Sequence, residues 1–147
     1  ALINEYGQVV GINSAKISAT GYEGLGFAIP IDTAQPIISD LIQYGYVKDR
    51  AVLGISGQFI DSMTGRFYGL PQGEYVAQLN SSEAQASGLQ VGDVITAIDG
   101  QQLDSESTLR SAILSKKPGD TVTLQVYRSS TQQSATVELK LSEYSAG

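Results

Sequence analysis

A nucleophilic hydroxyl or thiol needs a base poised beside it, and a thiolate metal site needs cysteines. The 147-residue sequence has no His and no Cys. Ser-His-Asp catalysis, cysteine nucleophiles, thiolate zinc sites and disulfides are therefore excluded inside the chain. No catalytic residue, metal ligand or cofactor is assigned. The acids add little. Asp93 follows Gly92 and Asp99 precedes Gly100, the places of turn formers whose side chains bond nearby backbone. Lys116-Lys117 reads as a solvated helix end favoured by the dipole. No Lys follows a Gly run to make a phosphate loop, no complete G-x-G-x-x-G forms around Gly24, and Asn80-Ser81-Ser82 matches a glycosylation sequon by chance. Nine basic against fifteen acidic residues give a net charge of -6, the wrong balance for a nucleic-acid partner.

The elements that would position any site follow from patterning. At 41% hydrophobic and 16% charged residues, with 16 Gly, the composition is globular and holds no unbroken apolar run of membrane-helix length. Lack of Cys fixes no redox compartment. Ala1 follows neither a Met nor a basic-then-apolar leader, so an interior cut of a longer chain is expected. Glu5-Tyr6-Gly7 is a turn signal, residues 8–12 a buried strand, 14–24 a polar loop, and 25–29 a strand closed by Pro30. Two or three short strands are marginal alone. A helix follows: Asp32 or Thr33 can cap it, Ile37, Ile38, Leu41 and Ile42 recur at helical spacing, Pro36 is placed in its first turn, and Gly45 stops it. Residues 46–50 form a charged connector, where we place a domain boundary.

Beyond it the pattern is β-rich. Strands are expected over 52–60, 74–79, 94–98, 121–128 and 135–141, with a loop over 61–73. A helical turn over 82–86 ends at Gly88. Asp99-Gly100 is a strong hairpin pair. An amphipathic helix over 105–115 carries Leu109, Ile113 and Leu114, with Ser105 as cap.

Gly88-Leu89-x-Val91-Gly92-Asp93-Val94-Ile95-x-x-Ile98-Asp99-Gly100, the helix after it, and Pro118-Gly119-Asp120 before a Thr-Leu-x-Val strand together resemble a PDZ domain. The element order is similar to that of bacterial HtrA-type (DegP-like) proteases. The resemblance implies a mainly β fold with α elements: a PDZ-type partly open β-barrel with one main helix. It also implies binding of protein C-termini or exposed hydrophobic tails by strand addition, the carboxylate being held by backbone N–H groups. The binding loop would be Leu53-Gly54-Ile55 followed by Ser56-Gly57, with Leu53 and Ile55 walling a pocket closed by Leu109 and Ile113. All four also suit a plain core. Gly24-Leu25-Gly26-Phe27 spells the carboxylate-loop signature of many animal PDZ domains, but Pro30 and a helix follow it, so it is set aside. Glu74 stands where a small or apolar residue is commoner in the family.

Residues 1–50 resemble the end of an HtrA-type protease domain, on Gln8-Val9-Val10-Gly11-Ile12-Asn13-Ser14 and Gly26-Phe27-Ala28-Ile29-Pro30. The implied layout is a remnant of the trypsin-like domain over 1–30, a linker helix over 31–50, the PDZ domain over 51–141 and a tail over 142–147. Ile12, Asn13, Gly26 and Phe27 would be remnants of the specificity pocket, with the catalytic triad upstream. The chain is then no enzyme by itself but the regulatory part of an extracytoplasmic serine endopeptidase of protein quality control, any membrane anchor lying upstream. The alternatives are the endopeptidase itself and a purely structural docking module. Expected partners are peptide or protein C-termini, unfolded proteins and the parent's protease domain, and residues 1–29 are expected to self-associate through unpaired edges.

Overall fold

Turn-formers spaced between β-branched runs set the element order, and the computed structural model describes residues 1–16 and 26–144. The expected polar loop beyond Lys16, Gly24 and Leu25 of the set-aside signature, and the end of the expected tail lie outside the described residues. The chain divides into two units, one ending at Lys48 and one starting at Asp49.

In the first unit, β1 (Leu2–Ile3), β2 (Val9–Lys16) and β3 (Gly26–Pro30) form an antiparallel sheet in that order. Oδ1 of Asn4 accepts from the backbone N–H groups of Tyr6 and Gln8 and closes the first turn. The second strand runs on through Ser14 to Lys16 because it pairs with β3, where the sequence suggested a loop. Helix α1 (Ile31–Tyr44) lies against β2 and β3. Neither Asp32 nor Thr33 caps it. Pro30 occupies the cap position with φ −57° and makes no side-chain cap bond. The helix thus starts earlier than expected and Pro36 is its sixth residue, in the second turn, where the missing N–H removes one helical hydrogen bond. Gly45 stops the helix as expected, its N–H donating to Leu41 O.

The second unit is built on the sheet order β10-β9-β7-β6-β5, with β8 (Gln101–Gln102) paired to β7. Its strands are β5 (Ile55–Ile60), β6 (Gly73–Leu79), β7 (Asp93–Ile98), β9 (Thr121–Arg128) and β10 (Gln133–Lys140). A separate ladder joins β4 (Ala51–Val52) to β11 (Ser142–Glu143), so residues expected as tail pair with the start of the unit. The sheets stay open among the described residues, in keeping with the expected partly open arrangement. Strand β7 is buried along nearly its whole length, as a central strand must be, whereas β9 alternates and turns Val122, Leu124 and Val126 inward. These pack with Val76, Ile95, Ile98 and Leu139 in the core.

Three local features depart from the sequence reading. The strand expected over 52–60 breaks at Leu53-Gly54, because Gly54 has φ +67° and its carbonyl accepts from the N–H groups of Asn80 and Ser81 at 2.7 and 3.2 Å. The loop expected over 61–73 contains α2 (Ser62–Tyr68), capped by Asp61, whose side chain accepts from Thr64 N at 2.7 Å. Helix α3 (Ser82–Ala86) is capped by Ser81, and α4 (Glu106–Leu114) has Ser105 at its cap position as expected. The Ser105 hydroxyl, however, bonds the side chains of Ser107 and Thr108 rather than a backbone N–H.

The two turn acids do more than turn. Asp93 is 1% exposed and accepts from Gln90 N, while Arg128 grips it in a fork, Nε to Oδ1 and Nη2 to Oδ2, each at 3.1 Å. Removing Arg128 would leave the buried Asp93 carboxylate without its counter-charge, a larger cost than the loss of an exposed ion pair. Asp99 accepts from Thr123 N and from Lys116 Nζ, at 2.8 and 2.7 Å. Lys116 is therefore paired, not a freely solvated helix end. The bond from Lys116, and then that from Thr123, hold the Asp99 carboxyl below its ordinary pKa.

Candidate functional site

Strand β5 ends one side of the sheet path, with β6 as its neighbour, so its other edge carries backbone groups free of ladder partners. Helix α4 is set near that edge. Gln72 helps hold its approach, its side-chain amide donating to the carbonyls of Leu103 and Asp104. Between strand and helix lies a cavity of about 220 Å³. Leu53 and Ile55 line it from the strand side, Leu109, Ile113 and Leu114 from the helix, and Ala51 and Val52 from β4. Its polar members are Arg50, Glu74, Glu106 and Arg110.

Of the residues singled out in the sequence, the structure brings Leu53, Ile55, Leu109 and Ile113 around one cavity. Leu53 and Leu109 also belong to the buried core, at 4% and 7% exposed, so wall and core are one construction here. Gly54 lies between the two strand-side walls. A Cβ on it would come within 2.1 Å of Ser81 Oγ, so its backbone sits tight against the start of α3. Ser56 and Gly57 do not line the cavity: the Ser56 hydroxyl accepts from Asn80 Nδ2 at 2.6 Å, and Gly57 lies against β6. Ile12, Asn13, Gly26 and Phe27 fall on the neighbouring strands β2 and β3 of the first unit, Ile12 and Phe27 being exposed there.

Sequence reasoning missed the polar wall. Glu74 stands out in the sequence only as unusual for its family, and nothing in its strand's alternation announces its surroundings. Its Oε2 is buried without a hydrogen-bond partner. Burial first, and the charge of Glu106 second, push its carboxyl above the ordinary pKa. Glu106 itself is bonded by Arg110 Nη2 at 2.6 Å, an exposed i,i+4 pair, and contributes little to stability.

An open strand edge beside a cavity with apolar walls at Leu53, Ile55, Leu109 and Ile113, closed by one helix, suits an extended peptide. Residues 51–139 match the family described as PDZ domain. The chain belongs to the PDZ family. This PDZ-bearing chain is 39% identical over 140 residues to the serine protease Do-like HtrB of Bacillus subtilis (strain 168), covering 86% of this chain and 30% of that protein. It is 35% identical over 147 residues to the periplasmic serine endoprotease DegP of Escherichia coli (strain K12), covering 97% and 31%. Among solved structures it is similar to the HtrA-type protease AlgW with decapeptide, at 28% identity and a TM-score of 0.66, over 96% of this chain and 44% of that one. The chain thus spans about a third of the length of these curated relatives, which are serine proteases.

Proposed function

We propose that the unit beginning at Asp49 captures the C-terminus or an exposed hydrophobic tail of a protein chain, as the regulatory part of an HtrA-like serine endopeptidase of protein quality control. The observation that carries this is the unpaired edge of β5 running beside a cavity walled by Leu53, Ile55, Leu109 and Ile113. A bound tail would extend the sheet, its terminal side chain entering the cavity and its carboxylate lying at Leu53-Gly54. The decapeptide carried by the similar AlgW structure and the family match support the same reading. With no His in the chain, proteolysis is assigned to residues outside it. Residues 1–30 are read as the closing part of a trypsin-like domain, with Ile12, Asn13, Gly26 and Phe27 as remnants of its specificity pocket. Residues 31–50 are then a linker, and 51–141 the PDZ domain. The periplasmic relative supports an extracytoplasmic location, any membrane anchor lying upstream.

The test is fluorescence polarisation with a labelled peptide ending in a free apolar residue. The native chain is expected to bind it and to lose more than tenfold in affinity when the peptide is amidated. Ile55→Asp should abolish binding while circular dichroism stays native, because the charge would sit unpaired against the terminal side chain. Unchanged affinity in that variant would move the site elsewhere.

A further inference from the structure

One wall of the cavity is not apolar. On β5, residues 55, 57 and 59 share a face, and on β6 Glu74 pairs with Phe59 while Val76 pairs with Gly57. Opposed residues of an antiparallel pair point to the same side, so Glu74 lies on the face of Ile55 and Gly57. Gly57 packs tightly against β6: a Cβ at that position would meet the Tyr75 carbonyl oxygen at 2.1 Å and Glu74 Oε1 at 2.9 Å. Glu74 Oε1 thus lies close to the edge strand's backbone at Gly57. Oε2 is buried with no donor, and neither cation of the cavity supplies one. Arg110 is held by Glu106.

A buried carboxylate oxygen without a donor is costly, and the side chain that carries it lines the cavity. On the reading proposed above, a tail added antiparallel to β5 sets its last residue beside Ile55. The residue two earlier then lies beside Gly57 on the same face. We infer that Glu74 is a specificity-determining residue of this groove, selecting a lysine or arginine two residues before the C-terminal residue of the bound chain. A hydroxyl would satisfy one oxygen but leave the charge uncompensated. An ammonium or guanidinium group supplies both donor and counter-charge, with Glu106 on the opposite wall adding to the field.

The test titrates the full chain with two fluorescein-labelled hexapeptides that end in the same free apolar residue and differ only at that position, lysine against norleucine. The native chain should bind the lysine peptide about tenfold tighter, the worth of one modest charge-assisted hydrogen bond. In Glu74→Gln the preference, read as the ratio of the two affinities, should fall within about twofold, with a native circular dichroism spectrum showing that the fold is intact. Glu106→Gln should reduce the preference only partly. Equal binding of both peptides by the native chain, or a tenfold preference surviving in Glu74→Gln, overturns the assignment. If neither peptide binds the native chain while other free apolar tails do, the inference alone falls; if no free tail binds, the groove reading falls and takes it along.

Discussion

Glu74 is where sequence and surroundings conflict most. Its carboxyl is pushed above the ordinary pKa by burial and then by Glu106, so the folded chain keeps that proton to a higher pH than the unfolded chain does. Between the two values the native state binds more protons, and stability falls as pH rises. Glu74→Gln removes that loss. Urea melts should find the variant more stable than the native chain at pH 7, with the gap narrowing towards pH 4; a gap independent of pH would refute the linkage. Little of this was legible beforehand. Alternation along β6 gives the face of Glu74, but its closeness to Gly57 depends on the register between two strands, which is shifted by an irregularity at Ser56/Gly57. Asp93 and Arg128, 35 residues apart, were hidden for the same reason. Asp61 was not hidden: an Asp three residues before Thr64 is a local capping pattern that composition alone made look like loop.

The break between β4 and β5 separates the cavity-lining residues Leu53 and Ile55, and it rests on Gly54. Its left-handed backbone and its closeness to Ser81 Oγ leave no room for a methyl group. Gly54→Ala should cost roughly 3 kcal/mol, about 1 from left-handed strain and the rest from displacing the cap of α3. Urea denaturation measures the loss, and the peptide affinity should fall with it; a shift below about 0.5 kcal/mol would mean that the break does not depend on glycine. Elements with strong local signals, such as β7, β9, α3 and the Asp99-Gly100 hairpin, were legible because turn chemistry and alternation are written within a few residues. The apolar walls at Leu53, Ile55, Leu109 and Ile113 were legible through the family resemblance, not through periodicity, which cannot tell a wall from a core. The start of α1 was missed because two good cap residues, Asp32 and Thr33, are overridden by a strand that hands over to the helix directly at Pro30.

Across the molecule, the two units differ in how they treat their apolar residues. The second buries its strand residues in one core and leaves Met63, Phe67, Val91 and Leu114 exposed outside it. In the first, Leu2, Ile3, Val9, Val10, Ile12, Phe27 and Ile29 are each more than a third exposed, a larger apolar surface than a lone sheet of three strands normally shows water. Burying three or four such side chains between copies would contribute roughly 1.5–3 kcal/mol each. Sedimentation velocity should therefore show the full chain associating as its concentration rises, and a version lacking residues 1–30 remaining monomeric with peptide binding intact. A full chain that stays monomeric throughout would end that expectation. The second unit has a different feature at its margin. Its entry and exit strands, β4 and β11, are zipped side by side, with Tyr144 N donating to Arg50 O at 2.9 Å and Asp49 N to Glu143 Oε1 at 3.2 Å. Tension applied at Asp49 and Tyr144 would load this short ladder end-on, so that its few bonds open in succession ahead of the longer ladders of the main sheet. Ala51 and Val52 belong to that ladder and also line the cavity. The grip on a peptide would then loosen under traction before the domain unravels, making the clasp a mechanical fuse for the groove.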